Sequence, residues 1–427
     1  MERAGNSTGS LDCARDDVKI VRARVVVPVA GDPIENGAVA IAGSKITGVG
    51  GFEEVKASHG GDVVDLGEQI LLPGLINAHC HLDYTLLRGQ IPPQESFTDW
   101  IRGINAAKAK LTPKDYVASI NQGFFEAQSF GTTTIVNLTA FPELIAEIEE
   151  PVRTCWFGEL IDVRNPDQAG KIVDRAVESL RCKKHWGLAP HAPFTASTPL
   201  FSAASAISSK HNVPITTHVA ESREEMQMFR DAGGPLFDFL KGIGHPMDDC
   251  GGKTPLSFLM QNHAMDEHWI LAHLNELTET DFDLLAGTKG FHIAHCPRSH
   301  TFFGHTPFAS RRLHALGVNI CLGTDSLASN SSLSLLSEMR ELLRKEPSIS
   351  PREAVSMATA NGARAIGRAN SLGRISPGFD ADLIAIRSAA TGTDVFDAIV
   401  AFEETIRWMM VGGEVLGGRA KDTNALG

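Results

Sequence analysis

Hydrophobic and polar positions fall into two textures along the chain. From Val18 to Leu71, short β-rich runs (VKIVRARVVVPV, GAVAIAGSKITGVG, DVVDLG) are broken by Gly, Asp and Pro, which predicts antiparallel strands and hairpins. From Leu72, apolar strand-like runs alternate with stretches rich in Ala, Leu, Glu and Lys, as βα units around a parallel sheet require. The strand candidates are LLPGLINAH, TTTIVNL, RTCWFGEL, HWGLAPHA, VPITTHV, HWILAHL, FHIAHC and VNICLGTD. Eight such units predict an α/β fold, a closed (β/α)8 TIM barrel over residues 71–371. After Gly373 the β texture returns in PGFDADLIAIRS and TIRWMMVGGEVLGG, separated by a short helical or loop segment. A small β-sandwich domain built from both chain ends, residues 18–70 and 372–418, is therefore expected. No repeat or low-complexity tract interrupts this plan, and residues 1–17 and about 420–427 are expected to fray.

Composition adds exclusions. The 427 residues suit one large barrel with an appendage, and 43% hydrophobic against 21% charged residues is enough for a sizeable core. A formal charge of -12, from 39 Lys and Arg against 51 Asp and Glu, repels phosphate backbones and anionic lipid, and no basic run offsets it. The expected partner is a small molecule, with no nucleic acid and no membrane. Seven cysteines without a CxxC pair fit reduced thiols, and the polar stretch Met1 to Lys19 has no secretory h-region, so a cytoplasmic protein is expected.

The chemistry lies in what ends the strands. In a (β/α)8 barrel all C-terminal strand ends converge on one face, and here they carry His79-Cys80-His81, His218, His273 and Asp325. Strand alternation puts His79 and His81 on the same side, where both imidazoles reach one ion. His218 in THVAES supplies a third nitrogen and Asp325 in LGTDSLASN a hard oxygen. This donor set suits one divalent cation per chain, zinc first and iron second, with an open position for water. A carboxylate must then move protons: Asp325 is expected to take the proton from water, and Glu221 to give one to a ring nitrogen or leaving group. His273 would hold the nucleophile or polarise the substrate.

HCH after LLPGLINA, then THVAE, LAH and LGTDS, resemble in order and spacing the amidohydrolase superfamily, in particular its aminohydrolase and chlorohydrolase branch, over nearly the whole chain. That branch holds cytosine and guanine deaminases, S-adenosylhomocysteine and methylthioadenosine deaminases, aminodeoxyfutalosine deaminases and triazine hydrolases. The resemblance implies a hydrolytic deaminase of an amino-substituted nitrogen heterocycle (purine, pterin, pyrimidine or related nucleoside) that releases ammonia. Binuclear members carry a carboxylated Lys at the end of strand 4, where this sequence has His191, so one metal is implied and His191 becomes a substrate contact, the other reading being a histidine that caps a turn. Trp100 stands where nucleoside deaminases have a pocket-wall tryptophan, the other reading being plain core packing. Their ribose-binding Glu about nine residues later is missing, because Lys108, Ala109 and Lys110 occupy that stretch. In HCPRSHTFFGH, Arg298, His300 and His305 are candidates for substrate recognition, with His305 equally readable as a surface-loop residue. Removal of chloride from a similar ring, and hydrolysis of a cyclic amide, remain open on the same residues, as does a homodimer through the outer helices.

Overall fold

The computed structural model describes residues 18–387 and 394–416. The fraying expected at 1–17 and 420–427 lies outside these residues.

Both chain ends enter one mixed eight-stranded sheet. Val18–Val26 pairs antiparallel with Ile34–Ala42 and in parallel with Asp62–Asp65 and Gln69–Pro73; Gln69–Pro73 then pairs antiparallel with Leu383–Arg387, which leads to Trp408–Val411 and Glu414–Leu416. One face buries Val21, Ala23, Val39, Ile41, Leu71, Leu383 and Met410 together. The other is partly covered by the helix Phe52–His59, whose Val55 packs on Ile20, Ala38 and Ala40. That helix interrupts a stretch expected to hold only strands. Its one buried residue, Val55, leaves no 3.6-residue period for the sequence to show.

A second, parallel sheet runs in strict chain order: β1 (Leu75–His81), β2 (Thr132–Thr139), β3 (Arg153–Leu160), β4 (Trp186–Pro190), β5 (Ile215–Val219), β6 (Trp269–His273), β7 (His292–His295) and β8 (Asn319–Leu322). Residues Asp325–Ser326, just beyond β8, pair back onto β1, and Thr324 donates its backbone N–H to the His79 carbonyl at 3.0 Å. The sheet thus curls until its last strand meets its first, in a TIM-barrel-like α/β arrangement. Ile76, Ala78, Val136, Leu138, Cys155, Phe157, Ala189, Ile270, Ala294 and Cys321 fill its interior.

LLPGLINAH, expected as one strand, is two strands in different sheets. Leu71 to Pro73 belong to the composite sheet, and the chain crosses at Gly74, where a Cβ would lie 2.1 Å from the Thr133 hydroxyl. The six cysteines among the described residues are all free, and no helix there is long and apolar enough to cross a membrane.

Candidate active site

The strand ends deliver their side chains by local departures from regular geometry. In β1, Ile76 and Ala78 face the interior, whereas Cys80 packs in the outer core; the inward set changes to His79 and His81 where the register against β2 shifts between Asn77 and Cys80. Ala220, His273, Leu274 and Asp325 adopt left-handed φ of 51, 72, 49 and 55°. Such backbone is costly for residues with a Cβ, and its concentration at the ends of β5, β6 and β8 marks a site held by its surroundings. Gly323 is required for another reason: a Cβ there would sit 2.6 Å from the His79 carbonyl, so glycine lets β8 approach β1.

His79, His81 and His218 bring ligand atoms within 4.8 Å of one another, and His79, His273 and Asp325 do the same. The Nε2 atoms of His81 and His218 face each other at 3.2 Å, and the Asp325 Oδ1 lies 4.0 Å from His79 Nε2 and 3.9 Å from His81 Nε2. Two nitrogens bound about 2.0–2.1 Å from a tetrahedral ion are separated by roughly 3.3 Å, so the histidine pair is spaced for a shared cation. Neither ring nitrogen of fully buried His79 has a hydrogen-bond partner. Buried polar atoms rarely go unpartnered in a native fold. A divalent cation takes one of these two nitrogens, and the residues present fit it.

Partners around the cluster orient it. His218 Nδ1 lies 2.6 Å from the His191 carbonyl, so that nitrogen carries the proton and Nε2 is free to ligate. Asp325 Oδ2 accepts from Ser299 Oγ at 2.6 Å and Ser329 Oγ at 3.0 Å, leaving Oδ1 for the cluster. Glu221 Oε1 is 3.8 Å from His273 Nε2. The loop that carries Glu221 is fixed by Glu225, which accepts the backbone N–H of Ala220 and Glu221 at 3.1 and 2.7 Å, and by Asn275, which donates to the Glu221 carbonyl at 3.0 Å.

Burial, reinforced by neighbouring imidazoles, holds His79 and His81 well below the usual histidine range, so both are neutral and able to ligate. The two carboxyls diverge. Burial, with the Asp325 and Glu225 charges, pushes Glu221 well above its ordinary value. Burial pushes Asp325 up too, but His273, His79 and the Ser299 hydrogen bond win and hold it below.

The cluster forms the floor of a cavity of about 440 Å³. Phe97, Trp100, Ile101, Leu236, Phe239 and Ile243 make an apolar wall; Tyr84, Asn105, Lys108, Glu159, Arg164 and Asn165 line polar parts of the same space. The helix Phe97–Lys108, which carries Trp100, is tied to the helix Arg223–Asp231 that follows Glu221, because Glu224 accepts the backbone N–H of Phe97 and Thr98 at 3.0 and 2.9 Å. His191 lines the cavity, with Nδ1 2.6 Å from Thr195 Oγ1. Arg298 and His300, expected as substrate contacts, do not line it. The Arg298 guanidinium is turned to Ser331, while His300 Nε2 is 2.8 Å from the Thr306 carbonyl. Their run forms the helix Pro297–Phe303 behind the wall, where Phe303 packs edge-on to Trp100 and 5.2 Å from His305. Ser299, Ser329, Glu225 and Glu159 were not singled out from the sequence. Only Glu159 carried a legible signal, a charged residue ending a strand.

Residues 70–416 match the amidohydrolase family. The chain is 31% identical over 393 residues to a 5-methylthioadenosine/S-adenosylhomocysteine deaminase of Syntrophobacter fumaroxidans, covering 87% of this chain and 85% of the relative. It is 31% identical over 344 residues to the protein of the same description from Pyrococcus furiosus, with 76% of each covered. Among solved structures, it superposes with a TM-score of 0.85 and 19% identity on Helicobacter pylori aminofutalosine deaminase in complex with methylthio-coformycin, covering 93% of this chain and 100% of that one. An adenosine deaminase of Xanthomonas campestris with bound zinc gives a TM-score of 0.79 at 23% identity, covering 93% and 92%.

Proposed function

The chain belongs to the amidohydrolase family, and from that premise we propose that it deaminates adenosine-type nucleosides with an apolar or thioether group at the 5′ position. It is a hydrolase of carbon–nitrogen bonds other than peptide bonds, a metal-dependent hydrolytic deaminase of an amino-substituted heterocycle. The finer substrate follows the named activity of its relatives and the apolar wall of the cavity, which suits an uncharged 5′ extension better than water does.

His79, His81, His218 and Asp325 would hold one divalent cation, which we assign as zinc; iron accepts the same donors. When bound, such an ion supplies Lewis-acid activation of water near neutral pH. The observation that carries the deaminase reading is geometric: Asp325 stands among the converging ligand histidines, while Glu221 lies outside both ligand groups beside His273, so a ligand carboxylate and a separate proton-carrying carboxyl meet at the cavity floor. Glu221, kept protonated, gives its proton to a ring nitrogen, and Asp325, kept ionised, receives the proton that the attacking water releases and returns it to the departing amine. His273, beside Glu221, polarises the reacting centre, and His191 and Trp100 position the ring. An amine departs with a proton and chloride without one, so the return of a proton by Asp325 is needed for amine release and not for dechlorination.

The domain division that goes with this reading is a hydrolase barrel near residues 71–371 and a β-sandwich from 18–70 and 372–418, with its first crossing moved to Gly74; the shared sheet of the two chain ends supports one composite β domain, as a single sheet with a helix on one face. The test is an ammonia-release screen of metal-analysed protein against aminopurines, adenosine nucleosides with and without 5′ thioethers, aminopterins, cytosines and aminotriazines. Preference for the 5′-thioether nucleosides is expected. Turnover of free bases alone would overturn the substrate assignment, and chloride release without ammonia the reaction.

A further inference from the structure

We propose that two adjacent glutamates, Glu224 and Glu225, position the two halves of the site separately: Glu225 sets the aim of Glu221 and with it the proton step, while Glu224 sets the seat of the Trp100 wall and with it substrate binding. The proposal rests on the roles given above to Glu221 and Trp100. Both glutamates lie in the first turn of the helix Arg223–Asp231, which begins just after Glu221. Neighbouring positions of an α-helix point about 100° apart, so the two side chains leave this turn in different directions.

Each carboxylate grips a pair of consecutive backbone N–H groups. Glu225 accepts Ala220 N–H on Oε1 and Glu221 N–H on Oε2, at 3.1 and 2.7 Å. Glu224 accepts Phe97 N–H on Oε1 and Thr98 N–H on Oε2, at 3.0 and 2.9 Å, with the Thr98 hydroxyl as a third donor. Two charge-assisted hydrogen bonds to fixed donors carry geometry as well as energy.

The Glu225 grip falls on strained backbone. Ala220 holds its left-handed φ of 51° while its carbonyl accepts the N–H groups of Asn275 and Glu276 at 2.9 and 2.8 Å. The loop is thus held on its carbonyl side by the segment after β6 and on its N–H side by Glu225. Glu225 is itself fully buried, and its own N–H is fixed on Ser222 Oγ at 3.1 Å. The Glu224 grip falls on the start of the helix Phe97–Lys108, where first-turn N–H groups have no intrahelical acceptor. Ser96 Oγ takes that of Asp99 at 3.2 Å, so Glu224 supplies the support from outside the segment. Phe97, Trp100, Ile101 and Ile104 of that helix line the cavity; a shift of the helix moves the wall and leaves Glu221 in place.

The experiment compares wild type, Glu224→Gln, Glu225→Gln and Arg223→Ala on 5′-methylthioadenosine, each with metal per chain determined. An amide keeps the size of the carboxylate but offers one oxygen for two N–H groups and turns its NH2 toward the other. Glu225→Gln is expected to lower kcat by about 100-fold, the cost of a misplaced reacting group, with KM within about 3-fold. Glu224→Gln is expected to raise KM by about 10-fold with kcat within about 3-fold. Arg223 shares the turn but its side chain is 71% exposed, and its loss should move neither constant by more than about 2-fold. Metal content should be unchanged throughout. A merely structural role lowers the active fraction and so kcat alone in both glutamate variants, which would overturn the proposal. Loss of metal, or an Arg223→Ala effect as large as theirs, would overturn it too. Full kcat in Glu225→Gln where Glu221→Gln is inactive defeats this proposal and leaves the role of Glu221 standing. If wild type releases no ammonia from 5′-methylthioadenosine, the substrate reading falls, and the same split is read on the compound that the ammonia screen finds active.

Discussion

His81 Nε2 and His218 Nε2 face each other at 3.2 Å inside the barrel mouth, and His218, with its Nδ1 proton on the His191 carbonyl, turns a lone pair into that gap. A cation held there would take the lone pair of each ring, and the unpartnered nitrogens of His79 beside it point to the same need. Replacement of His79 by Ala should therefore remove bound metal and activity together, read as metal per chain and ammonia release. A fully metallated, active His79→Ala protein would sink the site as drawn.

Ser299 contributes to the cluster only through Asp325, to whose Oδ2 it donates at 2.6 Å. Groups of this kind tune a ligand's orientation and typically account for about 10- to 100-fold in metal affinity. Ser299→Ala should weaken affinity by about 10-fold in competition with a chelator, because Ser329 still holds the same oxygen. An unchanged affinity would mean that Ser329 alone suffices.

Glu221 is placed to move protons and not to ligate: its Oε1 lies 3.8 Å from His273 Nε2, and it belongs to neither group of converging ligand atoms. In Glu221→Gln the metal should stay, while kcat falls by about 10²- to 10⁴-fold, the usual contribution of a positioned acid or base. Retained turnover would remove Glu221 from the mechanism; lost metal would make it a ligand.

Much of this site was legible before the structure because it rests on two rules that need no coordinates. Apolar runs separated by helical stretches give eight parallel strands, and parallel strands in a barrel share one catalytic end, so His79, His81, His218, His273 and Asp325 could be brought together from their positions alone. What escaped the sequence depends on backbone detail. The inward set of β1 changes parity at a register shift, and the left-handed φ of His273 breaks the alternation that Ile270 sets in β6; neither has a compositional signature. Arg298 and His300 looked like cavity residues because they follow a strand end. The helix that begins at Pro297 turns both toward protein partners instead.

Gly323 turns one of those backbone details into a measurement. Its missing side chain lets β8 lie against His79, where a Cβ would meet the carbonyl at 2.6 Å and the His79 Cβ at 2.8 Å. Those atoms are backbone and the root of a ligand, so neither yields cheaply. Gly323→Ala should lower both thermal stability and bound metal, with a cost of about 1–3 kcal/mol as for other overpacked cores. A variant with wild-type melting and full metal would show that the two strands can part without disturbing the site.

Glu338 offers a test of the brace behind Asp325 that does not touch the metal ligands. Fully buried, it accepts the Arg298 backbone N–H at 2.9 Å and Asn330 Nδ2 at 2.6 Å, and the same Asn330 nitrogen also donates to the Thr324 carbonyl beside Asp325. Burial outweighs these hydrogen bonds and pushes the carboxyl from its ordinary 4.5 up to about 8. The folded protein therefore keeps a proton that the unfolded chain gives up above pH 4.5. The stability this group contributes is complete below that pH and is lost as pH rises through about 8. Melting of the wild type should fall relative to Glu338→Gln between pH 5 and 9, by roughly 5 °C, since the amide has no proton to lose. Parallel melting curves across that range would place the Glu338 titration elsewhere and leave the brace a purely hydrogen-bonded one.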